Sequence, residues 1–357
     1  MTSELHGALI GAGRVSEYHL RAWEQVSQAS IVAIADLDHD AAIRRGNEFH
    51  ISLENIYTSF ENLLQQNPDL DFVDIATPPA THPVLVKLAA ENGLNVLCQK
   101  PFAYSLKDAR EMSNKCKQAG VLLSVNENWR WRAWYRGLKN LLVSGEIGKP
   151  SYAKFFIHSD YWLKADRSAL PYRNHGVLME WGIHHLDLMR FLFGEVESVY
   201  SRVQNVFQNL SPFEQKALVV LNFKSGLLAY LDISSASFAP YAYVNRNGPM
   251  VEDVRIEGDQ GAFLLQPDPE QGDLMRVVTQ TKDEIHPAYD SSPLDAYQAS
   301  YTAAHQHFVD CLLSGELPET YAEDNLETLA VTLAAYHAAE INQVVRIDEF
   351  KKRMLNA

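Results

Sequence analysis

A chain of 357 residues is longer than one hydrophobic core usually serves, so two domains are expected. Its apolar content of 46% and charged content of 21% describe an ordered globular protein and exclude a disordered one. A formal charge of −14 argues against nucleic acid or an anionic membrane as partner, yet permits a phosphate-bearing cofactor held by backbone N–H groups.

Short apolar runs alternate with helical stretches through the first third. Strands are expected at residues 7–10, 31–35, 72–76, 95–99 and 121–125, and helices at 15–24, 41–49, 82–92 and 105–118. Gly93 and Gly120 stand where helix C-caps belong, and Ser105 with Asp108 has capping-box spacing. This alternation implies a parallel sheet with right-handed crossovers. From residue 126 the pattern changes. A helix at 134–144 leads to a strand at 152–158, a long loop and a helix at 178–193. Strands then crowd together at 198–206, 217–223, 227–234, 251–257, 262–266 and 275–281. Lys224-Ser225-Gly226 and Gly258-Asp259-Gln260-Gly261 read as hairpin turns. Helices at 303–313 and 325–344 complete the pattern. Cys98, Cys116 and Cys311 are scattered without a CxxC pair, as in a reduced cytoplasmic protein, and neither a leader nor a membrane-spanning stretch is legible.

Gly11-Ala12-Gly13-Arg14-Val15-Ser16 sits between the first strand and the first helix. There the first glycine permits a tight turn and the second lets a pyrophosphate approach the backbone and the helix N-terminus. Ser16 replaces the usual third small residue and keeps the helix close to the sheet. Asp36 ends the second strand, where an acid accepts hydrogen bonds from an adenosine ribose. Leu37 and Asp38 follow it rather than a cation, which favours NAD over NADP. Thr77 and Pro78, with His82, form a second cofactor-facing loop or simply a rigid turn. The fold class is therefore α/β: a Rossmann domain over 1–125 and an α+β domain over 126–357 with a large, mainly antiparallel open sheet.

Lys100 ends an apolar strand at the edge where doubly wound sheets present ligands. An ammonium there can hold a substrate oxygen or pass a proton. Glu180, His184 and Asp187 are spaced i, i+4, i+7, which puts them on one face of a helix that is apolar in most other directions. Such a stripe needs partners or a cavity. It is either a buried hydrogen-bond network or a site, and three ionisable groups together favour a site. His184 and His185 point in different directions, so no metal is expected. The loop from His158 through Trp162 to Arg173 and His175 offers aromatic faces beside polar groups, suited to a polyhydroxylated ring. Arg130, between Trp129 and Trp131, forms another substrate wall or packs at the domain junction.

Gly11 and Gly13, Thr77-Pro78 with His82, Lys100-Pro101 and Glu180-x-Gly182-x-His184-x-x-Asp187 together resemble the Gfo/Idh/MocA oxidoreductases, as does Gly145-Glu146-Ile147-Gly148. The resemblance spans essentially the whole chain. It implies NAD(P), a sugar, polyol or related hydroxyl substrate, and a homo-oligomer, dimer or tetramer, formed through the open sheet. The family usually has Glu before the lysine and Asp at the start of the helix motif. Gln99 and Glu180 stand there instead, and altered cofactor-side contacts are expected at Gln99. The implied activity is oxidation of a hydroxyl, with the hydride passing to nicotinamide and the proton to the Lys100/His184 pair. The alternatives are glycoside hydrolysis by transient oxidation and a non-catalytic dinucleotide-sensing regulator.

Overall fold

The computed structural model describes residues 4–164, 175–209, 211–237, 250–268 and 272–356. In chain order the first strands are β1 (Leu5–Ile10), β2 (Ala29–Ala35), β3 (Ile56–Tyr57), β4 (Phe72–Ile75), β5 (Asn95–Gln99) and β6 (Leu123–Asn126). The helices among them are α1 (Ser16–Trp23), α2 (His39–Glu48), α3 (Phe60–Gln66), α4 (His82–Glu91) and α5 (Leu106–Ala119). All six strands are parallel, in the order β3-β2-β1-β4-β5-β6. That is the dinucleotide-binding order, with its reversal between β1 and β4. Ser105 caps α5 by accepting the Asp108 N–H at 3.0 Å, and Gly120 ends it in the left-handed conformation, as the sequence implies.

The second half begins with α6 (Ala133–Ser144), β7 (Pro150–His158) and α7 (Tyr161–Lys164), then α8 (Ile183–Phe193), which a π-helical turn at Leu178–Gly182 precedes. Strands β8 (Val196–Gln204), β9 (Lys216–Phe223), β10 (Leu228–Ser234), β11 (Val251–Gly258), β12 (Gly261–Asp268), β13 (Gly272–Thr279) and β14 (Asp283–Pro287) follow. The helices α9 (Pro293–Ser314) and α10 (Ala322–Ile341), the short strand β15 (Val345–Arg346) and α11 (Ile347–Asn356) complete the list. The nine-stranded sheet runs β14-β13-β12-β11-β7-β10-β9-β8-β15. Every neighbouring pair is antiparallel except β7 and β10. On β7, Ala153, Phe155 and Ile157 are buried while Tyr152, Lys154, Phe156 and His158 are more open, the period-2 signature of a sheet with two unlike faces.

Contacts divide the chain into two compact units, Met1–Trp131 with Tyr297–Leu329, and Arg132–Ala296 with Ala330–Ala357. A border after residue 125 leaves the return of 297–329 with the second half, whereas its contacts lie in the first. Gln298 donates to the Tyr18 carbonyl at 3.0 Å, and the Val125 N–H reaches the Thr320 carbonyl at 2.8 Å. Phe308 and Val309 share a buried cluster with Trp23, Phe72 and Leu97. Among the described residues, no helix is long and apolar enough to cross a membrane.

Candidate active site

In a parallel sheet, the residues that follow each strand emerge at one edge. Gly11 follows β1, Asp36 β2, Ala76 and Thr77 β4, and Lys100 β5. Gly11 has φ 103°, and a Cβ there would sit 2.8 Å from the Ala76 carbonyl oxygen, so only glycine fits. A Cβ on Gly13 would meet nothing within 4 Å; the space over that backbone is open to a ligand. Asp36 accepts the Ala12 N–H at 2.6 Å through one oxygen and the Asp38 N–H at 2.8 Å through the other, which holds the glycine turn beside it. Ser16 does more than save space: it is fully buried, its hydroxyl bonds the Gly13 carbonyl and it accepts from Arg45 at 3.1 Å. Arg14 is exposed and Val15 half-buried at the start of α1.

The second loop divides in its fate. Thr77 is half-buried and its hydroxyl accepts from Thr81 at 2.7 Å, with Pro78 exposed beside it. His82, expected to face a cofactor, is buried instead, each ring nitrogen 3.0 Å from a backbone carbonyl, of Phe102 and of Thr77. Burial pulls its pKa down. The ring is packed between the Thr77 loop and the segment after Lys100, with both nitrogens turned to backbone carbonyls rather than to a ligand.

Lys100 is half-buried, and its peptide bond to Pro101 is cis. The Gln99 side chain turns into the interior, 5% exposed, so its expected cofactor contact is corrected. Strand alternation sends it away from Lys100's side, and there its amide nitrogen meets His19 Nε2 at 2.9 Å. Its Oε1 accepts the Lys100 N–H at 2.6 Å. His19 Nδ1 in turn meets Asp74 Oδ2 at 2.8 Å, to which Trp23 Nε1 donates at 2.7 Å, with His305 Nε2 3.5 Å away. With the amide donating to Nε2, the His19 proton lies on Nδ1 and goes to Asp74. Among the described residues, His19, Asp74 and His305 are the one group whose ligand atoms lie close enough together, within 4.8 Å, for a metal ion. Hydrogen bonds already occupy the carboxylate.

Arg130, expected as a substrate wall, is 4% exposed and committed elsewhere. It donates to the Glu319 carbonyl at 2.8 Å and to Asp324 at 2.5 Å, anchoring the 297–329 return. Trp129 is buried as well, and the Trp131 ring lies 5.2 Å from that of His307, as packing rather than a binding wall would place them.

In the second unit, the π turn at Leu178–Gly182 contains Glu180, so Glu180 and His184 are not one regular α-turn apart as their spacing suggests. Glu180 is half-buried, His184 4% exposed and Asp187 buried. Glu214, which no sequence motif marks, anchors the start of this helix. It accepts the Leu178 N–H at 3.2 Å and the Tyr336 hydroxyl at 2.6 Å, while that hydroxyl accepts the Met179 N–H at 3.1 Å. The Gly176 backbone lies so near that a Cβ would fall 2.0 Å from the Glu214 carboxyl. Burial raises the Glu214 pKa against those hydrogen bonds. His175 is half-buried and its pKa is lowered by burial, with Glu180 pulling the other way. His185 is buried with Nδ1 3.1 Å from the Trp181 carbonyl, and burial holds it far down the neutral side. Trp162, expected as an aromatic wall, is 2% exposed, and its backbone N–H donates to the Ser235 carbonyl; packing, not an open face, describes it. Arg173 lies outside the described residues.

Residues 5–127 match the family model described as an oxidoreductase family NAD-binding Rossmann fold, and residues 139–347 match its C-terminal alpha/beta domain. The chain belongs to the Gfo/Idh/MocA oxidoreductase family. It is 35% identical to a D-apiose dehydrogenase of Paraburkholderia graminis, over 96% of this chain and 89% of that one. A scyllo-inositol 2-dehydrogenase (NAD(+)) of Bacillus subtilis is 27% identical over 98% of each. Among solved structures, an oxidoreductase from Agrobacterium radiobacter in complex with NAD+, L-tartaric acid and magnesium is 33% identical. It superposes with a TM-score of 0.87 over 97% of this chain and 99% of that one.

The cofactor of the family fits the residues present: open space over Gly13, the N-terminus of α1 and a carboxylate at Asp36. NAD is the cofactor these features suit. Asp36→Ala should lower kcat/KM for NAD about 10- to 100-fold, the worth of a hydrogen bond to a charged group, with a much smaller loss for NADP. Steady-state kinetics with both cofactors measure this. Equal losses would mean that Asp36 serves only the glycine turn.

Proposed function

We propose that the protein is an NAD-dependent dehydrogenase that oxidises one hydroxyl of a sugar or polyol. The observation that carries this reading is Lys100 at the same sheet edge as Gly11, Gly13 and Asp36. Relatives named for D-apiose and scyllo-inositol support a polyhydroxylated substrate. When bound, the nicotinamide accepts the hydride. Lys100 holds the substrate oxygen. His184 is the general base, with an unperturbed pKa of about 6.5 against about 10.4 for lysine, and the proton is shared within the Lys100/His184 pair. Glu180 binds a neighbouring hydroxyl or orients it, and Asp187 fixes the imidazole tautomer or the substrate.

Three buried free thiols support a cytoplasmic setting. The more open face of the nine-stranded sheet supports a homo-oligomer. Leu218 and Leu228 are exposed there, and the Tyr152 and Tyr230 rings stand 6.1 Å apart.

The test is an NADH-formation screen over aldoses, polyols and inositols with NAD and NADP, on protein whose mass in solution is measured by light scattering. NADH should form with at least one polyhydroxylated substrate, faster with NAD, from a dimer or tetramer. Substrate consumed by protein that retains NAD, without net NADH, would move the assignment to glycoside cleavage by transient oxidation. A monomer would remove the oligomer.

A further inference from the structure

Gln99 and Asn126 are partners in the parallel register of β5 and β6. Both side chains reach His19 Nε2, at 2.9 and 3.4 Å. Lys100 and Glu127 come next along the chain, each just past its strand's end, so the two follow neighbouring strands out at the carboxyl edge. Glu127 is fully buried, a setting that carboxylates avoid unless they are paired. The groups that face it are Lys100 at the end of β5, Arg130 from the turn after β6, and Asp324 and Asn325 from α10. Arg130 shares its charge with Asp324 at 2.5 Å, and both Lys100 and Arg130 draw the Glu127 pKa down against its burial.

We propose that Glu127 accepts, through Lys100, the proton that the substrate hydroxyl loses on oxidation. The inference rests on the dehydrogenase reading above, and within the Lys100/His184 pair it gives the base's part to Lys100 and leaves His184 to orient the hydroxyl. The Lys100 ammonium passes a proton to the Glu127 carboxylate. The resulting amine takes the hydroxyl proton as the carbinol carbon gives its hydride to the oxidised nicotinamide. One O–H and one C–H bond break and a C=O bond forms. The electron pair leaves with the hydride, Lys100 ends as an ammonium again, and Glu127 ends as a carboxylic acid. After product release the proton returns to solvent by way of Lys100, which is half-buried where Glu127 is closed off. Burial, opposed by Lys100 and Arg130, lifts the Glu127 carboxyl to about 7. An ordinary glutamate, near 4.3, would hold a proton too weakly for this duty, and matching to working pH is what proton transfer rewards. Glu127 touches no substrate in this scheme; it is a positioning residue that acts through Lys100.

Two measurements on the full chain test it. The first is the pH profile of kcat for wild type, Glu127→Gln and Glu127→Asp, in the oxidation direction with NAD and a substrate found by the screen. Glu127→Gln should lose about 10- to 100-fold in kcat with KM little changed, and the acid limb near pH 7 should vanish. Glu127→Asp should restore most of the rate and a limb. The second is difference infrared spectroscopy of cofactor-free protein. A protonated-carboxyl band should grow in as pH falls through neutrality in wild type and be missing from Glu127→Gln. A folded Glu127→Gln with wild-type kcat and limb would overturn the proposal and leave His184 as acceptor, as would a wild-type spectrum without the band. If wild type itself makes no NADH from any substrate, the dehydrogenase reading fails, and the infrared result still decides whether Glu127 holds the proton.

Discussion

Lys100→Met should lower kcat by about 10²–10⁴-fold while NAD binding, followed by cofactor fluorescence or calorimetry, stays within a few-fold of wild type. The two effects separate because the lysine and the cofactor fingerprint use different parts of one sheet edge. Gly11, Gly13 and Asp36 follow β1 and β2, and their hydrogen bonds close among themselves without Lys100. Methionine keeps a long unbranched stem and removes only the ammonium. The variant should also fold, because Lys100 is half-buried and the nearby Glu127 can stay protonated once the cation that lowers its pKa is gone. The Lys100 N–H, which bonds Gln99 Oε1, is backbone and survives the change. Turnover within ten-fold of wild type would remove Lys100 from the chemistry. Parallel loss of NAD binding would mean instead that its role is to shape the cofactor edge.

What the sequence made legible was local. The glycine turn, the strand that ends at Lys100, the cap at Ser105 and the hairpin at Gly226 each declare themselves within a few residues, because backbone geometry dictates residue type there. The parallel sheet follows from alternation alone. What stayed hidden depended on partners far along the chain. Arg130 looks like a substrate wall until Glu319 and Asp324, almost two hundred residues on, take its guanidinium. Gln99 and His82 look cofactor-facing until His19 and the Phe102 carbonyl take them. Glu127 and Glu214 carry no motif, and only strand register and the crowding at Gly176 single them out. β14 is unmarked in the sequence for a different reason. It is an edge strand exposed along its whole length, so no alternation marks it. The π turn at Glu180 is equally silent, since residue spacing assumes the α period that the turn breaks.

The second large effect is on stability, behind Lys100 rather than at it. Asp74→Ala should cost about 3–5 kcal/mol by urea denaturation, read as a fall in midpoint at unchanged slope. Asp74 is fully buried on β4, and its carboxylate is the shared acceptor for His19 at 2.8 Å and Trp23 at 2.7 Å, with His305 at 3.5 Å. Removing it leaves the His19 and Trp23 donors unpaired in the buried interior, and each unsatisfied donor costs about 1–3 kcal/mol. Burial alone would raise the Asp74 pKa; the electrostatic pull and hydrogen bonding of the His19 and His305 rings outweigh it and hold the carboxyl well below the usual range. A folded-state pKa below the unfolded one stabilises the native state in full above the unfolded value, near 3.9, and the gain disappears as pH falls through the folded value. The gap between wild type and variant should therefore be constant from neutral pH down to about 4 and narrow in stronger acid. Because His19 also holds Gln99, and Gln99 holds the Lys100 backbone, the same substitution should lower kcat in whatever variant population remains folded. A loss below 1 kcal/mol, or a gap that widens on acidification, would show that the buried carboxylate is not what binds α1 and the 297–329 return to the sheet.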